Sequence, residues 1–150
     1  MGVVTVADVL RHAEDFERKL AEFYKRLSER ATRDGVRILA DYMSRHRLRI
    51  AGALDKLSPA QVRRICCTPL RYEPHGADIR NIASAELVPD AKAAEVLDAA
   101  IEFDEELIRL YRQVANQPVD QEVKAIFESL IRLEERSEIE LKKMKAMDYF

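Results

Sequence analysis

Four residues able to bind a metal ion stand at matching places in two similar halves of the sequence. The stretch around Glu17 recurs around Asp104 at an offset of 87 residues. Further along, a stretch that contains His46 aligns with one that contains Glu134 at an offset of 91 residues. Carboxylates together with an imidazole suit iron, manganese or zinc. The residues identical in the first pair of stretches are Ala13, Phe16, Leu20 and Tyr24, which match Ala100, Phe103, Leu107 and Tyr111.

The second pair of stretches shares one Glu-x-x-His motif between its two members. Met43 stands where its copy has Glu134, and Ser137 stands where its copy has His46. Each copy therefore keeps one half of a motif whose two side chains lie on the same face of a helix. We interpret Met43 and Ser137 as degenerate ligand positions.

The composition predicts that long amphipathic helices position these residues. Hydrophobic residues make up 47% of the 150-residue chain and charged residues 35%, with four glycines and five prolines. This mixture is typical of an all-α protein, and the length is typical of a single domain.

Start and stop signals divide the chain into four long helices and one irregular connector. Thr5 with Asp8 forms a capping box for the first helix, and Ser58 followed by Pro59 starts a short one. The predicted ranges are a first helix from 5 to about 31, a turn at 32–35, a second helix to about 57, a short helix to about 66, a third helix from about 90 to 116 and a fourth from about 120 to 147.

The lengths of the connectors predict the topology. Tight turns lie inside the hairpins at residues 5–57 and 90–147, whereas residues 58–89 form a crossover of about 30 residues. A crossover of that length lets the chain run along the bundle, so that the second and third helices are parallel. The predicted fold class is an all-α four-helix bundle of two antiparallel hairpins in one domain.

The helix lengths bring the four candidate ligands together. Counted from the turns at 1.5 Å per residue, all four lie at nearly the same depth in the bundle, on apolar stripes. Buried carboxylates are costly, and a divalent cation removes that cost. Tyr24 and Tyr111 could orient the carboxylates or could be ordinary core residues. On the second helix, the residues predicted to face the core are Ile38, Leu39, Tyr42, Met43, His46 and Ile50.

A second apolar stripe lies beside the inner stripe in the first helix of each hairpin. One residue is about 100° around a helix, so this stripe cannot share the bundle centre. It is either part of a broad core under the crossover or the surface of a homodimer. Its members are Val9, Phe16 and Phe23 in one copy and Val96, Phe103 and Leu110 in the other.

The chain resembles the rubrerythrin branch of the ferritin-like superfamily over nearly all of its length. The resemblance implies a ferritin-like bundle with a di-iron site, built from one Glu on the first helix, one on the third, and Glu-x-x-His on the second and fourth. Such sites act on oxygen or peroxide, or oxidise ferrous iron. The residues that carry the resemblance are Glu17 in FERKLAEFYKRL, His46 in LADYMSRHRLRI, Asp104 in FDEELIRLY and Glu134 in FESLIRLEERSEIEL.

The chain keeps four of the six ligands that this resemblance implies. We therefore expect one iron ion rather than two, with manganese or zinc as substitutes, and at most modest activity of the peroxidase or ferroxidase class. The chain has no Cys-x-x-Cys pair, so an electron donor would be external. The expected metal ligands are Glu17, His46, Asp104 and Glu134.

A second interpretation has no metal. The bundle is then a structural or protein-interaction module in which His46 is protonated and paired with Glu134, and another carboxylate is neutral. The loss of two ligands at equivalent positions in the two copies favours this interpretation.

Charge and hydropathy point away from nucleic acids and membranes. The net charge is −2, and the basic run Arg45, Arg47 and Arg49 is expected to form a salt-bridged surface against Glu135, Glu138 and Glu140. No apolar run approaches the roughly 20 residues that cross a bilayer.

The cysteines and the other histidines are not expected to form a functional site. No signal peptide is recognisable, so we expect a cytoplasmic protein whose adjacent Cys66 and Cys67 are reduced thiols. His12 and His75 are expected at the surface.

Overall fold

The computed structural model describes residues 4–56, 59–65 and 67–147, apart from the side chains of residues 59 and 62. No helix within these ranges is both long and apolar enough to cross a membrane. The helices are α1 (Val6–Arg30), α2 (Asp34–Asp55), α3 (Pro59–Ile65), α4 (Ile79–Ser84), α5 (Ala93–Ala115) and α6 (Gln121–Met147).

The four long helices form a bundle of two hairpins that a lengthwise crossover connects. The backbone N–H of Thr32, in the turn between α1 and α2, donates to the carbonyl of Pro89, just before α5. At the opposite end, the Gln117 side chain in the turn between α5 and α6 accepts from the N–H of Arg71 and donates to the carbonyl of Tyr72. The crossover therefore runs from one end of the bundle to the other, and the predicted fold class is confirmed.

The start of α1 is fixed by the capping box that the sequence predicts. The Thr5 N–H donates to the Asp8 carboxylate at 2.8 Å, and the Asp8 N–H donates to the Thr5 hydroxyl at 3.4 Å. The chain before this cap also pairs with the crossover, because the Leu70 N–H donates to the Val4 carbonyl at 2.9 Å. The start of α1 is thus fixed both by hydrogen bonds within the cap and by a hydrogen bond to the crossover.

The helix boundaries differ from the prediction by a few residues. Residues 34 and 35 belong to α2 rather than to a turn, and α5 begins at Ala93 because residues 89–91 form a turn held to Thr32. The connector also contains the short helix α4. The predicted boundary residues Leu57, Ser58 and Cys66 lie outside the described residues, and Cys67 is exposed.

The second apolar stripe lies inside the single chain. The Phe103 ring meets Phe16 and Phe23 edge to face, with centroid separations of 6.2 and 5.9 Å. The stripe is therefore a broad core face under the crossover, and the homodimer stays a prediction that this stripe does not support. Its buried members are Val9, Phe16, Val96, Phe103 and Leu110, whereas Phe23 is half-buried.

The face that α2 turns toward the core differs from the predicted one. Ile38 and Tyr42 were expected inside, but their exposed fractions are 65% and 43%. The buried side instead includes Ala40 and Ser44, and the Ser44 hydroxyl donates to the Ala21 carbonyl of α1 at 2.8 Å. Small residues let α1 and α2 approach closely, and this contact sets the rotation of α2.

The crossover packs directly on the backbone of α5 at Gly76. The φ of Gly76 is +133°, and a Cβ there would lie 2.8 Å from the Glu106 carbonyl oxygen. The next residue, Ala77, also has a positive φ and is fully buried. Beside it, the His75 N–H donates to the Gln113 side chain at 2.8 Å. Glycine is required here by both the dihedral angle and the close approach.

We expect Gly76→Ala to lower the free energy of unfolding by about 2 kcal/mol, because it combines a strained dihedral with a backbone clash. Urea denaturation measures this change. The control is Gly52→Ala, since Gly52 lies inside α2 with open space around it, and alanine there should raise stability by about 0.5–1 kcal/mol. Equal effects of the two variants would contradict the packing of the crossover on α5.

Candidate functional site: a buried carboxylate cluster

Three of the four predicted ligands meet in the centre of the bundle. Glu17 on α1, Asp104 on α5 and Glu134 on α6 are at most 1% exposed. Glu17 and Asp104 have buried apolar residues one turn away on both sides, and Glu134 has one on its N-terminal side, so packing of these helix faces carries the carboxylates inside. The structure therefore holds three acidic groups in a space from which solvent is excluded.

The cation at the centre of this cluster is Arg47 of α2, which is 1% exposed. Its Nη1 lies 3.1 Å from both carboxylate oxygens of Glu17, and 3.0 and 3.4 Å from those of Glu134. Its Nη2 donates to Oδ1 of Asp104. One guanidinium thus bridges carboxylates from the other three long helices.

The prediction that Arg47 belongs to a salt-bridged surface is wrong. Arg45 does lie at the surface and pairs with Asp41 at 2.9 Å, but two of the glutamates assigned to the basic run have other partners. Glu135 pairs with Arg112, and Lys142 pairs with Glu138. Alternating residues on a helix point about 200° apart, so Arg45 and Arg47 must face opposite ways.

A signal for Arg47 is present in the sequence. The buried positions of α2 follow spacings of three and four residues. Arg47 fits that series as well as His46 fits the predicted core-facing series. Three buried carboxylates also require a cation. The series is Val36, Ala40, Met43, Arg47, Ile50 and Leu54.

His46 is not in the carboxylate cluster. Its imidazole is half-buried and stacks on Tyr42 with a centroid separation of 6.1 Å and an interplanar angle of 5°. Burial lowers the pKa of His46, and the positive charge of Arg47 acts in the same direction. The metal-free interpretation expected a protonated His46 paired with Glu134; in the structure Arg47 makes that pair.

The two degenerate positions are both buried and lie beside His46. Met43 and Ser137 line a small crevice between α2 and α6 together with His46 and Glu140. A thioether is a poor ligand for a hard divalent ion, and Ser137 has a neutral hydroxyl where the motif has an imidazole nitrogen. Met43 and Ser137 thus occupy the two positions at which the motif has ligands, and both are packed between α2 and α6.

The two tyrosines lie at the edge of the cluster without joining its hydrogen bonds. The hydroxyls of Tyr24 and Tyr111 are buried and have no hydrogen-bond partner among the described residues, and the same is true of Oδ2 of Asp104. Burial raises the pKa of both tyrosines, so both are neutral hydroxyls. The suggested role of these hydroxyls in orienting carboxylates is absent from this arrangement.

The cluster favours a proton on Glu17. Burial raises the pKa of Glu17 well above its usual value; Arg47 opposes this shift, and the neighbouring charge of Glu134 and a hydrogen bond to it strengthen it. One guanidinium cannot neutralise three carboxylates, so a proton supplies part of the missing positive charge.

Comparison with known proteins tests the fold. A crystal structure from Thermotoga maritima, assigned provisionally as a ferritin-like diiron-carboxylate protein, superposes with a TM-score of 0.62 over 97% of each chain, at 21% sequence identity. This chain has the ferritin-like fold. No family model matches it, and no curated protein is detectably similar in sequence. The rubrerythrin branch of the fold remains a resemblance.

The donor set of this ferritin-like bundle fits a guanidinium better than a pair of metal ions. Nη1 of Arg47 lies within hydrogen-bond distance of all four oxygens of Glu17 and Glu134, the oxygens that would hold a metal. A divalent ion at that place would meet a fixed positive charge. Within the described ranges, no three His, Cys, Asp or Glu side chains have an arrangement suited to a metal ion.

Other histidines of the chain take no part in this site. His75 is exposed on the crossover, as expected, and His12 is half-buried on α1. Both lie away from the carboxylate cluster.

We expect the stability of the protein to fall as pH rises above 4.5, the usual value for a glutamate. Between that value and the raised pKa, folded Glu17 keeps a proton that the unfolded chain has lost. The free energy of unfolding therefore decreases with pH, by up to about 1.4 kcal/mol per unit. Glu17→Gln should remove this slope in urea denaturation series at several pH values.

The control for this prediction is Glu29→Gln, because Glu29 is exposed on the same helix. This variant should keep the wild-type slope. Identical slopes for Glu17→Gln and the wild type would show that Glu17 is ionised in the folded protein.

Proposed function

We propose that this chain is a ferritin-like bundle in which Arg47 takes the place of metal ions, and that it acts as a structural or protein-interaction module. The single observation that carries this proposal is the contact of one guanidinium with Glu17, Asp104 and Glu134. These are the three carboxylates that the sequence assigns to a metal.

The chemistry of the guanidinium supports this proposal. Arginine stays charged at any physiological pH, and its planar donors can bind several carboxylates at once. The carboxylates raise the pKa of Arg47 further, although burial alone would lower it. The cluster therefore has a permanent internal cation that neither dissociates nor changes oxidation state.

The same arrangement argues against redox chemistry at this place. A di-iron site of the kind implied by the resemblance needs ligands on four helices, whereas here α2 contributes a cation and the half-buried His46 stacks on Tyr42. We therefore expect ferrous-iron oxidation and peroxide reduction by the protein at the background rate.

Metal content and the Arg47→Ala variant test the proposal together. Wild-type protein from medium supplemented with iron and manganese should contain far less than one metal ion per chain. Arg47→Ala should lose about 3–5 kcal/mol of stability, because three carboxylates lose their cation. Added Mn²⁺ should raise the melting temperature of this variant and leave that of the wild type unchanged.

Three further variants separate the charge of Arg47 from other effects of its replacement. Arg45→Ala removes an exposed arginine of the same helix and should change stability by less than about 1 kcal/mol. Arg47→Lys keeps the charge and should lose less stability than Arg47→Met, which keeps the approximate volume only. About one metal ion per chain in the wild type, together with a minor effect of Arg47→Ala, would refute the proposal.

Binding of a single metal ion is the second candidate function, and one observation favours it. Oδ2 of Asp104 and two tyrosine hydroxyls are buried without hydrogen-bond partners in the part of the chain that the structure describes, so the cluster has unused oxygen atoms. The Thermotoga maritima protein is described as a diiron-carboxylate protein. In this case Arg47 would have to move aside, and any turnover would need an external electron donor.

The His46→Ala variant distinguishes the two candidates. It should abolish metal uptake if His46 is a ligand, and it should leave metal content and the melting temperature in Mn²⁺ unchanged if Arg47 fills the site. Elemental analysis of both proteins after identical purification gives the answer.

A further inference from the structure

A cavity of about 360 Å³ lies outside the carboxylate cluster, between the C-terminal part of α1 and the second half of the crossover. Its volume falls within the range of about 300–1,000 Å³ that is usual for small-molecule pockets. Apolar side chains form most of its wall, including Phe23, Leu27, Ile82, Leu87 and Val88.

The cavity continues the second apolar stripe of α1. Val9 and Phe16 are buried, but the third member of the stripe, Phe23, is only half-buried and borders the cavity. Ile82 on α4 is buried, and Leu87 is half-buried. The apolar face of α1 is therefore covered by protein for most of its length and accessible at this end.

Two arginines line the cavity and have no acidic partner within residues 4–56, 59–65 and 67–147. Arg26 and Arg30 are one helical turn apart on α1, and both line the cavity. Like charges at this spacing repel each other. In the described part of the chain neither forms an ion pair, although Glu86 lines the same cavity. The nearby Asp90 is already paired with Arg33 at 3.4 Å.

We propose that this cavity binds a small amphipathic carboxylate. The apolar tail lies on Phe23, Leu27 and Leu87, and the carboxylate lies between Arg26 and Arg30, whose guanidinium groups can each donate two hydrogen bonds. The combination of an apolar wall and two unpaired cations fits this ligand class and disfavours an apolar amine. The proposal is independent of the cluster around Arg47.

Titration with three molecules of equal chain length tests the proposal. Octanoate, 1-octanol and octylamine are added separately to the full-length protein, and ¹H–¹⁵N NMR spectra report which amides shift. We expect saturable shifts with octanoate at the amides of residues 23–30 and 82–88. The alcohol should bind about fivefold more weakly, and the amine should bind more weakly still.

Variants at the rim show whether the arginines recognise the carboxylate. The double variant Arg26→Gln with Arg30→Gln replaces exposed side chains, so the fold should persist, and it should weaken octanoate binding about fivefold or more. The control is Arg11→Gln, because Arg11 is exposed on the same helix and far from the cavity. This variant should bind octanoate as the wild type does.

Three results would each overturn the proposal. These are the absence of saturable octanoate shifts around the cavity, equal affinities for octanoate and octanol, and unchanged octanoate affinity in the double variant.

Discussion

The bundle depends on one buried cation that touches all of its long helices. Arg47 extends from α2 and contacts one carboxylate on each of α1, α5 and α6. A buried ion pair contributes little net stability relative to apolar packing, but removal of one partner is strongly destabilising. The contact therefore specifies how the four helices align in depth and rotation, since a shift of any of them separates a carboxylate from the guanidinium.

The negative charge of the cluster explains why a proton is favoured on Glu17, and it supports the proposed function. Two divalent metal ions could balance several carboxylates, whereas one guanidinium balances one. Burial and the neighbouring Glu134 consequently raise the pKa of Glu17, so that a proton reduces the remaining negative charge. Arg47 and this proton together reduce the negative charge of the site without a metal ion, and this supports the proposed structural role.

Sequence reasoning predicted the architecture because its signals are local or depend only on chain length. The Thr5–Asp8 cap, the apolar periodicity and the long crossover identify the two hairpins. The predicted rotation of α2 is wrong, because two stripes that lie one residue apart on a helix show the same spacing of three and four residues. The hydrophobic side chains of Ile38 and Tyr42 favoured the stripe that is exposed in the structure. The contact of Ser44 with Ala21 and the contacts of Arg47 both hold the observed rotation, and such contacts between helices are not encoded in the periodicity of any single helix.

The most direct test of this account is the NMR spectrum of the Arg47 side chain with and without Mn²⁺. A buried guanidinium held by three carboxylates should give separate, slowly exchanging Hη signals. If Arg47 fills the site, excess paramagnetic Mn²⁺ should leave these signals no more broadened than those of other buried groups. Averaged Hη signals, or their selective loss on addition of Mn²⁺, would show that the metal reaches the carboxylates and that Arg47 does not fill the site.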